Sequence, residues 1–141
     1  MRIAIGSDHG GMELKNLIVS QLQEAGHEVM DQGCHSLQSV DYPDFAELVC
    51  RLVEQDQSDR GILICGTGIG MSIAANRRKT IRAALCHELF TTRMSREHNN
   101  ANVLCLGARV IGPGLALEMV DLWLKTEFAG GRHQQRIDKM S

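Results

Sequence analysis

Short apolar runs alternate with amphipathic stretches along the whole chain. The runs at 1–7, 27–31, 61–65, 81–86 and 103–106 have the length and composition of buried strands. Between them, apolar residues recur at three- and four-residue spacing, which predicts helices at 12–25, 43–52, 71–76, 89–97 and 112–128, and a helical turn in the tail. Strands that alternate with helices indicate a parallel sheet covered on both faces. The pattern therefore predicts an α/β fold, a Rossmann-like three-layer αβα sandwich with a five-stranded parallel sheet.

The apolar stripes of the first two helices identify core residues on this part of the chain. They are Leu14, Leu17, Ile18 and Leu22 in the first helix, and Phe45, Leu48, Val49 and Leu52 in the second. The basic residues 77–79 follow the third helix, where cations suit the negative end of the helix dipole. We expect them to be solvated.

A glycine-rich turn joins the third strand to the third helix. Its sequence is Cys65-Gly66-Thr67-Gly68-Ile69-Gly70, with three glycines in the last five residues. Glycine allows a positive φ and a close approach of ligand to backbone, and the first amides of a helix lack internal partners. Such a turn can bind an anion. At its edge, the amides and the helix dipole favour a thiolate at Cys65 over a neutral thiol.

Cys65 has a simpler alternative role, because cysteine at the end of an apolar strand is often a small packing residue. The glycines count against that alternative, since packing requires no open loop. Met71 excludes the dinucleotide motif G-x-G-x-x-G, and the turn lacks the Lys-Ser/Thr of a P-loop. Met71 also stands where a cysteine-phosphatase loop has arginine.

Composition narrows the class of protein. A chain of 141 residues with 43% hydrophobic content is expected to be a single domain over 1–141. A net charge of −2 gives no reason to expect a nucleic-acid or membrane partner. The five cysteines are odd in number and without C-x-x-C spacing, which together with the lack of a signal-like segment predicts a cytoplasmic protein with free thiols. Except for Cys65, they are expected to be packing residues: Cys34, Cys50, Cys86 and Cys105.

Two polar loops, after the first and third strands, open on the same edge of the predicted sheet. They carry Asp8-His9 and Cys65-Gly66-Thr67, and ligands of such folds bind at this edge. Taken singly, other polar residues have structural alternatives: a helix cap for Asp8, a loop anchor for Tyr42, an exposed loop histidine for His98, and a solvated helical pair for Arg132 and Arg136. His27, His35, His87 and His133 are assigned no role.

Five segments in order give the chain a family resemblance. They are Ser7-Asp8-His9-Gly10-Gly11, Asp41-Tyr42-Pro43-Asp44-Phe45-Ala46, Cys65-Gly66-Thr67-Gly68-Ile69-Gly70, His98-Asn99-Asn100-Ala101-Asn102-Val103 and Gly131-Arg132-His133-Gln134-Gln135-Arg136. Together they resemble the type B ribose-5-phosphate isomerases. That family also holds allose-6-phosphate isomerase and the subunits of galactose-6-phosphate isomerase.

The resemblance implies an aldose–ketose isomerase of the non-oxidative pentose phosphate pathway, which works through an enediolate without metal or cofactor. Cys65 matches the family's base, Thr67 the hydroxyl that assists it, and His98 the ring-opening residue. The remaining matches are Gly66, Gly68, Ile69 and Gly70 for the anion hole, Asp8, Tyr42 and Asn99 for the sugar, and His9, Arg109, Arg132 and Arg136 for the phosphate. A branch of the family has glutamate at the position of Met71 and serine at that of Cys65, so this chain resembles the cysteine branch.

The resemblance also implies a homodimer or a dimer of dimers, with the active site at the subunit interface and His98 and some arginines from the partner. Two alternatives stay open. One is a six-carbon substrate such as allose 6-phosphate, since one extra carbon is a weak discriminator. The other is a sugar-phosphate-binding sensor or a non-catalytic subunit, although binding alone needs no base.

Overall fold

The computed structural model describes residues 1–140, in which five strands alternate with helices as the sequence predicts. The elements are β1 (Arg2–Ser7), α1 (Met12–Glu24), β2 (Glu28–Asp31), α2 (Tyr42–Glu54), β3 (Arg60–Cys65), α3 (Ile69–Ala75), β4 (Ala83–Leu85), α4 (Leu89–Glu97), β5 (Val103–Gly107), α5 (Pro113–Lys125) and α6 (Arg132–Asp138). A 3₁₀ turn at His9–Gly11 leads into α1. The predicted fold class is confirmed, and β4 is shorter than its apolar run. Within these residues, no helix combines the length and apolar character needed to cross a membrane.

The sheet has the order β2-β1-β3-β5-β4, and every pair of neighbouring strands is parallel. The chain runs outward from β1 to β2 and then crosses to β3 on the other side of β1. The strand order therefore reverses between β1 and β3. Ligands of open parallel sheets bind beyond the carboxyl ends of strands at such a reversal.

Side chains alternate along each strand between two cores. Ile3 and Ile5 of β1 lie in the core beneath α1 and α5, which also contains the fully buried Trp123. Ala4 faces the opposite core, beneath α2 and α3, together with Cys65 of β3. Each fully buried aliphatic side chain contributes about 1.5–3 kcal/mol, so the two layers of helices hold the strand ends in place.

The prediction that Leu17 and Leu48 are buried is wrong: 49% of Leu17 and 39% of Leu48 are exposed. Helix α2 approaches the sheet through Val49, whose methyl groups lie 2.7 and 3.0 Å from where a Cβ on Gly61 or Gly6 would stand. Val49 thus packs directly on Gly6 and Gly61, and this close contact turns Leu48 toward solvent.

The prediction for the basic segment after α3 needs correction at Arg78. This residue is half-buried and its guanidinium forms ion pairs with Glu47 and Glu54 of α2. Arg77 and Lys79 are exposed, as expected. Arg78 therefore ties the end of α3 to α2 instead of being solvated.

A buried ion pair joins α1 to the end of β2. Lys15 is fully buried, and its Nζ lies 2.8 and 2.7 Å from the two carboxylate oxygens of Asp31. Asp31 also accepts a hydrogen bond from the Gly33 amide at 2.9 Å, and the Gly33 carbonyl accepts one from Ser7 at 2.7 Å. The pair thus fixes the loop beside the end of β1.

The outer edge of β4 is covered by a side chain. The amide group of Asn76 donates to the Ala83 carbonyl at 2.9 Å and accepts from the Ala83 N–H at 2.8 Å. These are the two bonds that a neighbouring strand would make.

Candidate active site

An open crevice lies at the carboxyl ends of β1 and β3, where the strand order reverses. It has a volume of about 430 Å³ and is lined by Asp8, Tyr42, Cys65, Gly66, Thr67, Ile69, Gly70 and Ile73. Six of these residues belong to the glycine turn and the start of α3 or to the loop after β1. The convergence predicted from the two polar loops is therefore observed.

Cys65 ends β3 with only 5% of its surface exposed. The Gly68 amide donates a hydrogen bond to its Sγ at 3.1 Å, and the Ile69 amide donates to Thr67 Oγ1 at 3.2 Å. Gly68 has φ +79°, and a Cβ there would stand 2.9 Å from the Leu106 carbonyl carbon. Only glycine suits this conformation and contact, and the turn that it permits directs the Gly68 amide at the sulfur.

Met71 is fully buried in the core that also contains Cys65. Its side chain fills space beneath the turn and has no titratable group. Among the residues that line the crevice, Asp8 is the only other acid or base candidate besides Cys65 and Tyr42.

Asp8 is a cap as well as a crevice residue. Its Oδ1 accepts hydrogen bonds from the amides of Gly10 at 3.0 Å and Gly11 at 3.2 Å. Next to it, His9 Nδ1 accepts a hydrogen bond from the Val40 amide at 3.2 Å. An accepting Nδ1 places the proton of the neutral ring on Nε2, which gives His9 a donor directed away from Val40.

Tyr42 forms a wall of the crevice, and Arg109 lies beside the glycine turn near Gly66. Tyr42, the first residue of α2, packs against Gly70, where a Cβ would stand 2.5 Å from the ring carbon Cζ. Arg109 follows β5, and its Nη1 would be 3.6 Å from a Cβ on Gly66. Its side chain is exposed and, among residues 1–140, pairs with no carboxylate. It offers a free cation beside the turn.

The other predicted site residues lie at the opposite end of the sheet, where the strands begin. His98 caps the end of α4, five positions before Val103 opens β5. Val103 pairs with Gly61, while Gly107 at the far end of β5 pairs with Cys65. Four residue steps of about 3.3 Å, or about 13 Å in all, separate the two ends of β5, and His98 precedes the end that is remote from Cys65.

This second group is exposed and cationic. It consists of His98, Asn99, Arg132 and Arg136, brought together because α6 packs beside the end of α4. The Ala129 amide donates to the Glu97 carbonyl at 3.0 Å, which holds the segment before α6 against α4. The predicted site is therefore divided between two edges of one chain.

Comparison with known proteins places the chain in a family. The model of the ribose/galactose isomerase family matches residues 3–140. The chain belongs to that family. Ribose-5-phosphate isomerase B of Escherichia coli is 49% identical over 99% of this chain and 94% of the relative.

Solved structures of the family superpose closely on this chain. A ribose-5-phosphate isomerase B from Clostridium thermocellum has a TM-score of 0.98 and 56% identity, over 99% of this chain and 95% of that one. The enzyme from Mycoplasma genitalium, solved with bound ribulose-5-phosphate, has a TM-score of 0.95 and 46% identity, over 98% of this chain and 92% of that one. The predicted family resemblance is confirmed.

One residue of this family member that the sequence left without a role is His133. Its ring stacks on that of His98 with centroids 4.2 Å apart and planes 15° apart. Partial burial, and then the neighbouring His98, Arg132 and Arg136, lower the pKa of His133. The contact joins residues from two helices, so spacing along the chain could not reveal it. Its position between Arg132 and Arg136 was the available signal.

Metal ligands were not predicted, and residues 1–140 contain no group of three or more His, Cys, Asp or Glu side chains placed to hold a metal ion.

Proposed function

We propose that this chain is an aldose–ketose isomerase that interconverts D-ribose 5-phosphate and D-ribulose 5-phosphate. The observation that carries the proposal is the Cys65 sulfur at the floor of an open crevice, 3.1 Å from the Gly68 amide. The names of the relatives and the ribulose-5-phosphate held by the Mycoplasma genitalium structure support this substrate. The five cysteines are free thiols, which suits a cytoplasmic enzyme of the pentose phosphate pathway.

The reaction moves two protons and needs no oxidant. Cys65, as thiolate, removes the C2 proton from the open-chain aldose, and the electron pair forms the C1–C2 double bond of an enediolate. The same proton returns to C1, while the proton of the O2 hydroxyl is transferred to O1. Atoms and electrons balance without a cofactor or a metal.

The glycine turn stabilises the charge that develops on the substrate oxygens. The amides of Gly66, Gly68, Ile69 and Gly70 and the Thr67 hydroxyl belong to the turn that follows Cys65 and supply the anion hole, where preorganised donors act strongly on an enediolate. Tyr42 and Asp8 hold the sugar, with Asp8 using the carboxylate oxygen that is not engaged in capping. His9 and Arg109 receive the phosphate.

A second copy of the chain completes the site. We propose that His98, Asn99, Arg132 and Arg136 of one copy enter the crevice of another, because they lie too far from their own Cys65. Two exposed apolar side chains of α3, Ile69 and Ile73, stand beside the crevice and favour association there. In the completed site, His98 opens the sugar ring and the arginines hold the phosphate. The assembly is a homodimer or a dimer of such dimers.

The test of the base is Cys65→Ala, assayed for ribose 5-phosphate isomerisation with chelator present. Turnover is expected to fall at least roughly 10³-fold, because the other two acid or base candidates of the crevice, Asp8 and Tyr42, are used to hold the sugar. The matched control is Cys86→Ala, another buried thiol, which faces the other core and is expected to keep wild-type turnover. Full turnover by Cys65→Ala would remove the assignment.

The same assay separates the remaining alternatives. Allose 6-phosphate, measured in parallel, shows whether a six-carbon substrate is preferred. A wild-type protein that binds ribose 5-phosphate but turns over neither sugar would be a sensor or a non-catalytic subunit.

The shared site is tested by mixing subunits. Cys65→Ala and His98→Ala chains, each impaired alone, are expected to recover about a quarter of wild-type activity after random reassociation, because half of the dimers then have one intact site. No recovery would show that each chain uses its own His98.

A further inference from the structure

Three arginines lie together beneath the loop that carries His98 and Asn99. They are Arg60, Arg82 and Arg96, and among residues 1–140 none of them pairs with a carboxylate. Burial, and then the charges of Arg60 and Arg82, lower the pKa of Arg96 to about 10. A buried cation without a counterion is costly unless its donors are fully used. An apolar side chain could fill the same space without burying a charge, so the groups to which these guanidinium N–H groups donate have to be identified.

Arg96 bonds to two separate parts of the chain. It is 5% exposed, and its Nη1 donates to Asn100 Oδ1 at 2.9 Å and to the Ala101 carbonyl at 2.6 Å. Its Nε donates to the Thr126 carbonyl at 3.1 Å. Thr126 begins the segment that leads to α6. One guanidinium therefore holds both the loop after α4 and the approach to the helix of Arg132 and Arg136.

Arg82 holds the same loop from the start of β4. Its Nε donates to the carbonyls of Asn99 and Asn100, both at 3.1 Å, and its Nη2 donates to Asn100 at 3.0 Å. Asn100 has φ +46°, a conformation that side-chain-bearing residues rarely adopt. The three carbonyls from Asn99 to Ala101 thus all point inward to guanidinium groups. This directs the exposed side chains of His98 and Asn99 outward.

We propose that Arg96 and Arg82 are positioning residues that fix the orientation of His98 and Asn99. Through its bond to Thr126, Arg96 also fixes α6, which carries Arg132 and Arg136. The loop and the helix then enter the crevice of the second copy as one rigid unit. The proposal rests on the function and the shared site proposed above. It adds that the ring-opening and phosphate-binding groups are set by buried cations that never touch the substrate. A displacement of His98 by about 1 Å, after loss of this support, is expected to lower the rate by roughly 100-fold.

The test is Arg96→Met, which keeps the length of the side chain and removes its donors. The expected loss in kcat/KM is roughly 10- to 100-fold. The matched control is Arg93→Met, one turn earlier on the same helix, where the cation is exposed and is expected to be replaceable within about twofold. Wild-type kcat/KM for Arg96→Met would overturn the proposal.

Subunit mixing distinguishes positioning from general damage to the fold. A mixed dimer of Arg96→Met and Cys65→Ala chains has one site with an intact Cys65 and an intact, supported His98 from the other chain. About a quarter of wild-type activity is therefore expected after random reassociation. If Arg96 only stabilised the fold, the crevice of the Arg96→Met chain, which holds the only intact Cys65 of the mixed dimer, would be damaged as well. No activity would then return.

The outcomes separate this proposal from the one it rests on. Recovery by Cys65→Ala with His98→Ala, but not by Cys65→Ala with Arg96→Met, would overturn the positioning role and keep the shared site. Recovery by neither pair would overturn the shared site itself, and the positioning proposal with it. If Arg96→Met does not fold, Arg82→Met at its half-buried position replaces it in the same mixing experiment, with the same two outcomes deciding.

Discussion

Gly70 offers a sharp test of how the crevice is shaped, because Tyr42 occupies the space where its side chain would be. A Cβ on Gly70 would stand 2.5 Å from Tyr42 Cζ and 2.9 Å from the hydroxyl oxygen. Carbon atoms in contact are about 3.5–4.0 Å apart, so the ring must withdraw by roughly 1 Å. Since Tyr42 is partly exposed, its ring can move outward without disrupting the core.

We therefore expect Gly70→Ala to fold normally and to lose activity. Helix α3 gains up to about 1 kcal/mol from replacing glycine by alanine, which offsets the lost contact with the ring. If Tyr42 holds the sugar as proposed, its displacement by about 1 Å costs roughly 100-fold in kcat/KM, or about 2.7 kcal/mol. Steady-state kinetics and urea unfolding measure the two effects separately.

A double-mutant cycle decides whether the loss passes through the tyrosine. Gly70→Ala should have little further effect in the Tyr42→Ala background, because there is no ring left to displace. An equal loss in both backgrounds would refute the reasoning and would indicate that the new methyl group blocks the crevice directly. Gly114→Ala, a helical glycine with no neighbour within 4 Å, is the control for the backbone effect.

Two further predictions concern stability. Asp31→Asn should destabilise the fold by about 3–5 kcal/mol, because it leaves the buried Lys15 ammonium without its counterion. Lys15→Met should cost only about 1–2 kcal/mol, since Asp31 reaches water and still accepts a hydrogen bond from Gly33. Urea unfolding of both variants at one subunit concentration measures the two losses, and a larger loss for Lys15→Met would contradict the prediction. The lowered pKa of His133 means that the unfolded chain binds a proton that the folded chain does not, so the free energy of unfolding falls as the pH drops below 6.5, the ordinary pKa of histidine. Between pH 7.5 and 5.5, the melting temperature of His133→Gln should therefore fall less than that of the wild type.

The sheet and the crevice could be predicted from the sequence because they depend on local patterns. Alternating strands and helices indicate parallel strands, and glycines after β1 and β3 mark loops at the same end of the sheet. The exposure of Leu48 could not be predicted in this way. Which flank of a helix faces the sheet depends on where the sheet has room, and here Gly6 and Gly61 make room for Val49.

The division of the site was visible in the order of elements but not in the motifs. Asp8 directly follows β1 and Cys65 is the last residue of β3, whereas His98 lies shortly before β5. In a parallel sheet those two situations correspond to opposite edges. The stack of His98 on His133, and the carbonyls gathered by Arg82 and Arg96, depend on packing between segments that are distant along the chain. Periodicity contains no information about them.

The side chain of Asn76 has a consequence for how copies of this chain can meet. Exposed strand edges invite further strands to add, which leads to aggregates that grow without limit. Because Asn76 already occupies the N–H and C=O of Ala83, the three-residue β4 leaves only Leu85 with outward backbone groups. The strand at the other side of the sheet, β2, has only four residues and begins with the exposed charge of Glu28. The proposed association of two copies would therefore use contacts between helices, which can close on themselves, instead of open-ended sheet extension.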